Sequence, residues 1–124
     1  MPPFYYFFKC EEISYHAAIV PIERLGEFEE FTLLAVCALG DETYGVPVQQ
    51  FVEAHVGRRA SIGAIYAALD RLEAKGFVRS VMGESTGSRG GKRKRLFSVT
   101  PAGARTVAEL RRVRDAIWRA IEVQ

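Results

Sequence analysis

A helix whose two ends are both marked in the sequence constrains this chain more than any other feature. From Ser61 to Gly76 it reads SIGAIYAALDRLEAKG. Ser61 is placed to cap, because a serine hydroxyl accepts from an orphaned N–H two or three residues on. Gly76 is placed to end the helix in a left-handed conformation, with Lys75 at the negative end of the dipole. Ile62, Ile65, Leu69 and Leu72 recur at spacings of three and four and predict one buried stripe. The other face carries Ser61, Ala64, Ala67, Asp70, Arg71 and Lys75, with Tyr66 beside it. That face is small in its first turns and basic further on, and small residues let a helix backbone come close to another surface.

The flanking segments give this helix its setting. Residues 26–39 predict a helix with Glu27, Glu29 and Glu30 in its first turns, where acids suit the dipole. Its remainder, FTLLAVCAL, is apolar nearly all round and demands cover on more than one side. A second subunit is the economical cover, which places Leu33 and Val36 at a dimer interface. Asp41 to Gly45 reads as a turn. Val46 to Val56 predicts a second helix, with Pro47 tolerated in its first turn and Val48, Phe51, Val52 and Val56 on its buried side. Gly57 closes it, and Arg58-Arg59-Ala60 is a short connection. Two helices joined this way, the second small-faced, make a helix-turn-helix pattern.

After the capped helix, Phe77 to Met82 reads as a strand with Phe77 and Val81 on one side and Val78 and Met82 on the other. A glycine-rich loop, residues 83–92, leads to a return strand from Arg93 to Val99, so the pair forms a β-hairpin, or wing. Thr100-Pro101 then opens a long helix, a capping hydroxyl followed by proline at the first helical position. Leu110, Val113, Ile117 and Ile121 make a coiled-coil-like seam, flanked by Val107 and Trp118. Arg114 within the stripe argues against deep burial in a monomer, so the seam is expected to meet a partner helix; core packing within one subunit is the other reading. Trp118 either walls a flat apolar pocket with its symmetry mate or only fills the interface. The expected fold is α+β, mostly helical: a winged helix-turn-helix over 25–100 followed by a dimerisation helix over 101–124.

Residues 1–24 are read as an N-terminal extension, either an arm packed on the body or sequence upstream of the natural start. The run Phe4-Tyr5-Tyr6-Phe7-Phe8 is too short for a membrane span and lacks the form of a signal peptide. Residues 1–60 carry four Lys/Arg against nine Asp/Glu, and residues 61–124 thirteen against six. The basic second half is a footprint for a polyanion, though acidic segments could equally pair with it inside a dimer. Between Lys75 and Arg95 there are seven basic residues and one acid, read as phosphate-contacting rather than merely solvated. Cys10 and Cys37 form no CxxC, and His16 and His55 are isolated. The chain therefore reads as reduced and cytoplasmic, with no metal and no cofactor. It carries no nucleophile–base pair and no phosphate loop, so no enzymatic activity is expected.

The run Ile65-Tyr66-x-Ala68-Leu69-x-Arg71-Leu72-Glu73-x-x-Gly76 resembles the recognition helix of the PadR family of bacterial transcriptional regulators. Further matches follow in order: Leu25-Gly26-Glu27-Phe28-Glu29, Leu39-Gly40-Asp41-x-x-Tyr44-Gly45-Val46, and Leu96-Phe97-x-Val99-Thr100-Pro101-Ala102-Gly103. The chain departs from the pattern at Ala67, where many members have proline, and at Val46, where many have an aromatic. A single C-terminal helix resembles the short members. The resemblance implies a homodimer on a pseudo-palindromic operator, in most members a repressor, in some released by small aromatic or hydrophobic compounds. It implies base reading by Ser61, Gly63, Ala64, Tyr66 and Ala67, and phosphate contacts from Arg71 and Lys75. Tyr66 could instead make an interhelical hydrogen bond. The wing would add Arg89, Lys92, Arg93, Lys94 and Arg95, and the dimer interface Leu110, Val113, Ile117, Trp118 and Ile121 besides Leu33 and Val36. The expected function is a dimeric repressor of sequence-specific type on double-stranded DNA, released by a small molecule, with no membrane partner. The alternative is a winged-helix module that docks another protein.

Overall fold

Packing of the apolar stripes produces four helices and a two-stranded sheet among the described residues, 25–84 and 93–123 of a computed structural model. The chain runs through α1 (Glu27–Leu39), α2 (Gly45–Val56), α3 (Ile62–Ala74), β1 (Val78–Met82), β2 (Arg95–Val99) and α4 (Pro101–Glu122). The extension over residues 1–24 lies outside the described residues.

α1 sits at the centre. Leu33, Ala35 and Val36 are fully buried by the protomer's own α2, α3, β2 and α4. The expectation that Leu33 and Val36 face a second subunit is therefore corrected: the folded-back wing and the start of α4 supply the second layer of cover. Cys37 is also buried, and burial pushes its thiol up to about 12, so it acts as a small hydrophobe.

α3 forms as its ends dictate. Ser61 Oγ accepts from the Ala64 N–H at 3.0 Å. At the far end Gly76 has φ +82°. The Gly76 N–H donates to the Glu73 carbonyl and the Phe77 N–H to the Leu72 carbonyl, both at 2.9 Å, the paired bonds of a Schellman motif. Ile65, Ala68, Leu69 and Leu72 are completely buried, but Ile62 is 39% exposed. The stripe starts one turn later than its spacing suggests because Ala60 closes the core there. Its N–H donates to the Glu53 carboxylate and its carbonyl accepts from Gln49, both at 2.8 Å.

The wing is antiparallel, with Val78 opposite Val99, Ser80 opposite Phe97 and Met82 opposite Arg95. Alternation turns this row towards the helices and leaves Arg79, Val81, Leu96 and Ser98 on the other face. Thr43 adds one bridge to β2 through reciprocal bonds with Phe97, at 3.0 and 2.6 Å.

α4 opens as expected. Thr100 Oγ1 accepts from the Gly103 N–H at 3.1 Å and donates to the Gly76 carbonyl at 2.6 Å, so one hydroxyl joins the ends of α3 and α4. A Cβ on Gly103 would lie 2.1 Å from the Phe77 carbonyl oxygen; only glycine allows so close an approach. The first half of α4 packs on the body, and Leu110 is 8% exposed. Beyond it, residues 111–123 are exposed apart from half-buried Val113. Ile117, Trp118 and Ile121 are all more than half exposed.

Candidate nucleic-acid interface

The outward face of α3 is built from the residues that its core stripe leaves over. Ser61, Ile62, Gly63, Ala64, Ala67, Asp70, Arg71 and Lys75 are exposed. A Cβ added to Gly63 would meet nothing within 4 Å. The first two turns thus present backbone, small apolar groups and the Ile62 side chain, while the Ser61 hydroxyl is engaged as the cap.

Tyr66, expected among the base-reading residues, is half-buried. Its ring occupies the space that a Cβ on Gly45 would need, 2.5 Å away, and lies 6.4 Å from the Phe97 ring, tilted by 53°. The side chain is a strut between α3, the start of α2 and the wing. No interhelical hydrogen bond is needed for that role; the contact is steric and aromatic.

The basic residues divide into two groups. Arg71 Nε donates to Glu29 at 2.8 Å, and Lys75 Nζ bonds the other oxygen of the same carboxylate. Burial pushes the Glu29 carboxyl up, but the hydrogen bonds and charges of Lys75 and Arg71 outweigh it and hold it below the ordinary value. Both expected phosphate contacts are thus paired with α1, and the Arg71 side chain stays half exposed beside its partner. Arg95 is likewise turned inward. Nη1 donates to Asp70 at 2.6 Å, Nη2 bonds Glu73, and Nε donates to Ser80 Oγ at 3.1 Å. It is also seated 4.8 Å over the Phe97 ring. Arg95 belongs to the row of the hairpin that faces α3, so this expected phosphate contact already has two carboxylate partners.

Arg93 and Lys94 are exposed just ahead of β2, which begins two residues later than expected. Lys94 Nζ stands 4.1 Å above the Tyr44 ring, a cation–π contact that holds the wing beside the start of α2. Arg89 and Lys92 lie outside the described residues. Sequence reasoning passed over Arg58 and Arg59, treating them as a connection. Arg59 is exposed immediately before α3, and Arg58 is 3.7 Å from Glu27 with both side chains about three-quarters exposed. Their position next to the N-terminus of a small-faced helix was the signal available.

The other surface of note lies between α1 and the outer half of α4. An open cleft of about 340 Å³ is walled by Leu34, Val107, Leu110 and Trp118, with Glu30, Arg111, Arg114 and Asp115 around them. Arg114 Nη2 donates to Glu30 at 2.6 Å and ties the projecting helix to α1. Of the residues expected at a dimer interface, Leu110 is buried within the protomer, Val113 is half-buried, and Ile117, Trp118 and Ile121 are exposed.

Residues 33–109, most of this fold, match the family described as the transcriptional regulator PadR-like family. The chain belongs to that family. Its resemblance to the PadR recognition helix is thus part of a match that also covers the wing and the start of α4. Among solved structures, this PadR-like chain is similar to a transcriptional regulator from Clostridium thermocellum, 21% identical with a TM-score of 0.59, covering 77% of this chain and 87% of that one. It is also similar to a PadR family transcription regulator from Clostridium difficile, 21% identical with a TM-score of 0.50, covering 77% and 91%. At these identities the likeness is one of fold. A 37.1 kDa uncharacterized protein in a transposon of Streptomyces fradiae is 40% identical over 72 residues. That stretch is 57% of this PadR-like chain but only 19% of the transposon protein. Among the described residues, no helix is long and apolar enough to cross a membrane.

Proposed function

We propose that this PadR-like protein is a dimeric repressor that recognises its operator by sequence, laying α3 in successive major grooves and its wings on the flanking backbone. One observation carries the reading. The exposed first turns of α3 hold no side chain large enough to keep a duplex away at Gly63, Ala64 or Ala67, and basic groups stand at Arg59 before them and at Arg93 and Lys94 on the wing. Phosphate contacts from such groups position a protein on DNA. Reading is then the work of Ser61, Ile62, Gly63, Ala64 and Ala67. With the Ser61 hydroxyl on the cap and Asp70 on Arg95, those turns offer base edges mainly apolar surface, which suits the thymine methyl group.

The exposed Ile117, Trp118 and Ile121, continued by Val113, form the seam for a second copy, and two-fold symmetry sets half-sites on the order of ten base pairs apart. The cleft beside Trp118 is the site for a small aromatic or hydrophobic effector, since concave, mainly apolar clefts with a few polar groups hold such compounds. Selection from randomised duplexes, followed by salt titration of the enriched sequence, tests the function. Inverted repeats and an affinity falling steeply with salt are expected. No enrichment, with binding insensitive to salt, overturns it. Trp118 is the sole tryptophan, so planar compounds that release DNA should change its emission; release with emission unaltered moves the effector elsewhere.

A further inference from the structure

We propose that Arg95 is a positioning residue for DNA recognition, clamping the root of the wing to the recognition helix so that the two meet the duplex as one rigid body. This rests on the DNA-binding reading above.

One guanidinium joins three elements. Arg95 stands on β2; its partners Asp70 and Glu73 stand on α3, and Ser80 on β1. The partners are themselves linked, because Ser80 donates to Glu73 Oε2 twice, from its hydroxyl at 2.8 Å and its backbone N–H at 3.1 Å. Phe97 supports the guanidinium from below, and its ring also faces Tyr66 of α3. An arginine grips a phosphate through its fork, and here both Nη atoms are occupied by carboxylates. Withdrawing the arginine to the backbone would leave two acids on the helix that enters the groove, facing phosphate. The Arg95 side chain is 32% exposed and that of Glu73 33%, well below the exposure of a freely solvated tip. The Ser80 hydrogen bond is the main cause holding the Glu73 carboxyl below its ordinary value, with Arg95 contributing against the effect of burial. Burial lowers the Arg95 value, yet Asp70 and Glu73 together raise it. Arg93 and Lys94, by contrast, are exposed and bind the DNA backbone. Lysine cannot replace the clamp, since an ammonium is a point charge without the planar fork.

The test compares full-length wild type, Arg95→Gln, Arg95→Lys and Arg93→Ala on the selected operator and on a random duplex across a range of salt. For Arg95→Lys, which keeps a cation beside Asp70 and Glu73, the operator-to-random affinity ratio should fall by about tenfold or more, while affinity for random DNA and its salt slope stay at wild-type values; Arg95→Gln should lower the ratio as far, and its two unpaired acids should weaken both duplexes besides. Arg93→Ala should weaken both duplexes alike and flatten the slope by roughly one unit for each phosphate it no longer neutralises. An Arg95→Gln protein that behaves like Arg93→Ala has shed a phosphate ligand and overturns the proposal; so does an unchanged ratio. Should Arg95→Gln fail to fold, Asp70→Asn is read instead, since Asp70 is 59% exposed, and a wild-type ratio there overturns the clamp. Wild type that binds neither duplex at low salt removes the DNA reading itself, and with it this proposal.

Discussion

At Gly103 and Gly63 a single hydrogen separates two opposite outcomes. A methyl group at Gly103 would sit 2.1 Å from a backbone carbonyl, which no side-chain rotation relieves. Gly103→Ala should destabilise the domain by about 3 kcal/mol or more, measured as a lower urea midpoint. Gly63 is open, so Gly63→Ala should stabilise α3 by roughly 0.5–1 kcal/mol through helix propensity. The same change should weaken operator binding, because the new methyl stands where the backbone is to approach the groove. A variant both more stable and equally tight on the operator would remove Gly63 from the reading face. At Gly45 the obstacle is the tip of Tyr66, which can swing away. Gly45→Ala and Tyr66→Ala should therefore couple in a double-mutant cycle, the second change relieving the first.

At the scale of elements, α3 and α4 carry the predictions. If α3 reads thymine methyls, replacing thymine by uracil at the operator positions it touches should cost about 1 kcal/mol or more per site; equal affinity for the uracil duplex would refute apolar readout and leave DNA binding intact. Ile117→Asp places a charge on the exposed half of α4 and should shift sedimentation from dimer to monomer. Unaltered sedimentation would clear that seam of the assembly. The helices, the hairpin and both caps of α3 were legible in the sequence because local chemistry decides them: Ser61, Gly76 and Thr100-Pro101 act on near neighbours in the chain. What escaped depended on distant partners. Nothing near Leu33 or Val36 announces that the protomer itself covers α1. Arg95 reads as the last of a consecutive basic run, Lys92-Arg93-Lys94-Arg95, until the strand register turns it towards Asp70 and Glu73. Ile62 fits the period yet lies outside the core, since the anchoring of Ala60 is a matter of Gln49 and Glu53, a helix away.

For the molecule as a whole, ion pairs stitch the elements together and set its response to acid. Glu29 and Glu73 each link α3 to another element, and Glu109 pairs with Arg112 along α4. Burial opposes ionisation of Glu29 but its two cations prevail; Ser80 dominates at Glu73, and Arg112 at Glu109. All three carboxyls lie below their ordinary value of 4.5. The unfolded chain therefore binds protons at higher pH than the fold does. The stability they confer is complete above that value and is lost as pH falls through their depressed folded values. Urea midpoints should hold steady down to about pH 5 and decline below about pH 4; Glu29→Gln should make the decline shallower. The Thr100 hydroxyl, which bonds both the end of α3 and the start of α4, bears on the whole assembly in another way. With Gly103 pressed against Phe77, it makes a rigid elbow, and the outer half of α4 becomes a lever of roughly 18 Å at 1.5 Å per residue. In the proposed dimer, a turn of about 10° where two such helices cross near Ile117, about 24 Å from the elbow at 1.5 Å per residue, would carry each elbow roughly 4 Å, on the order of the rise of one base pair, about 3.4 Å. A compound wedged beside Trp118 need not touch the reading heads to put them out of step with the groove.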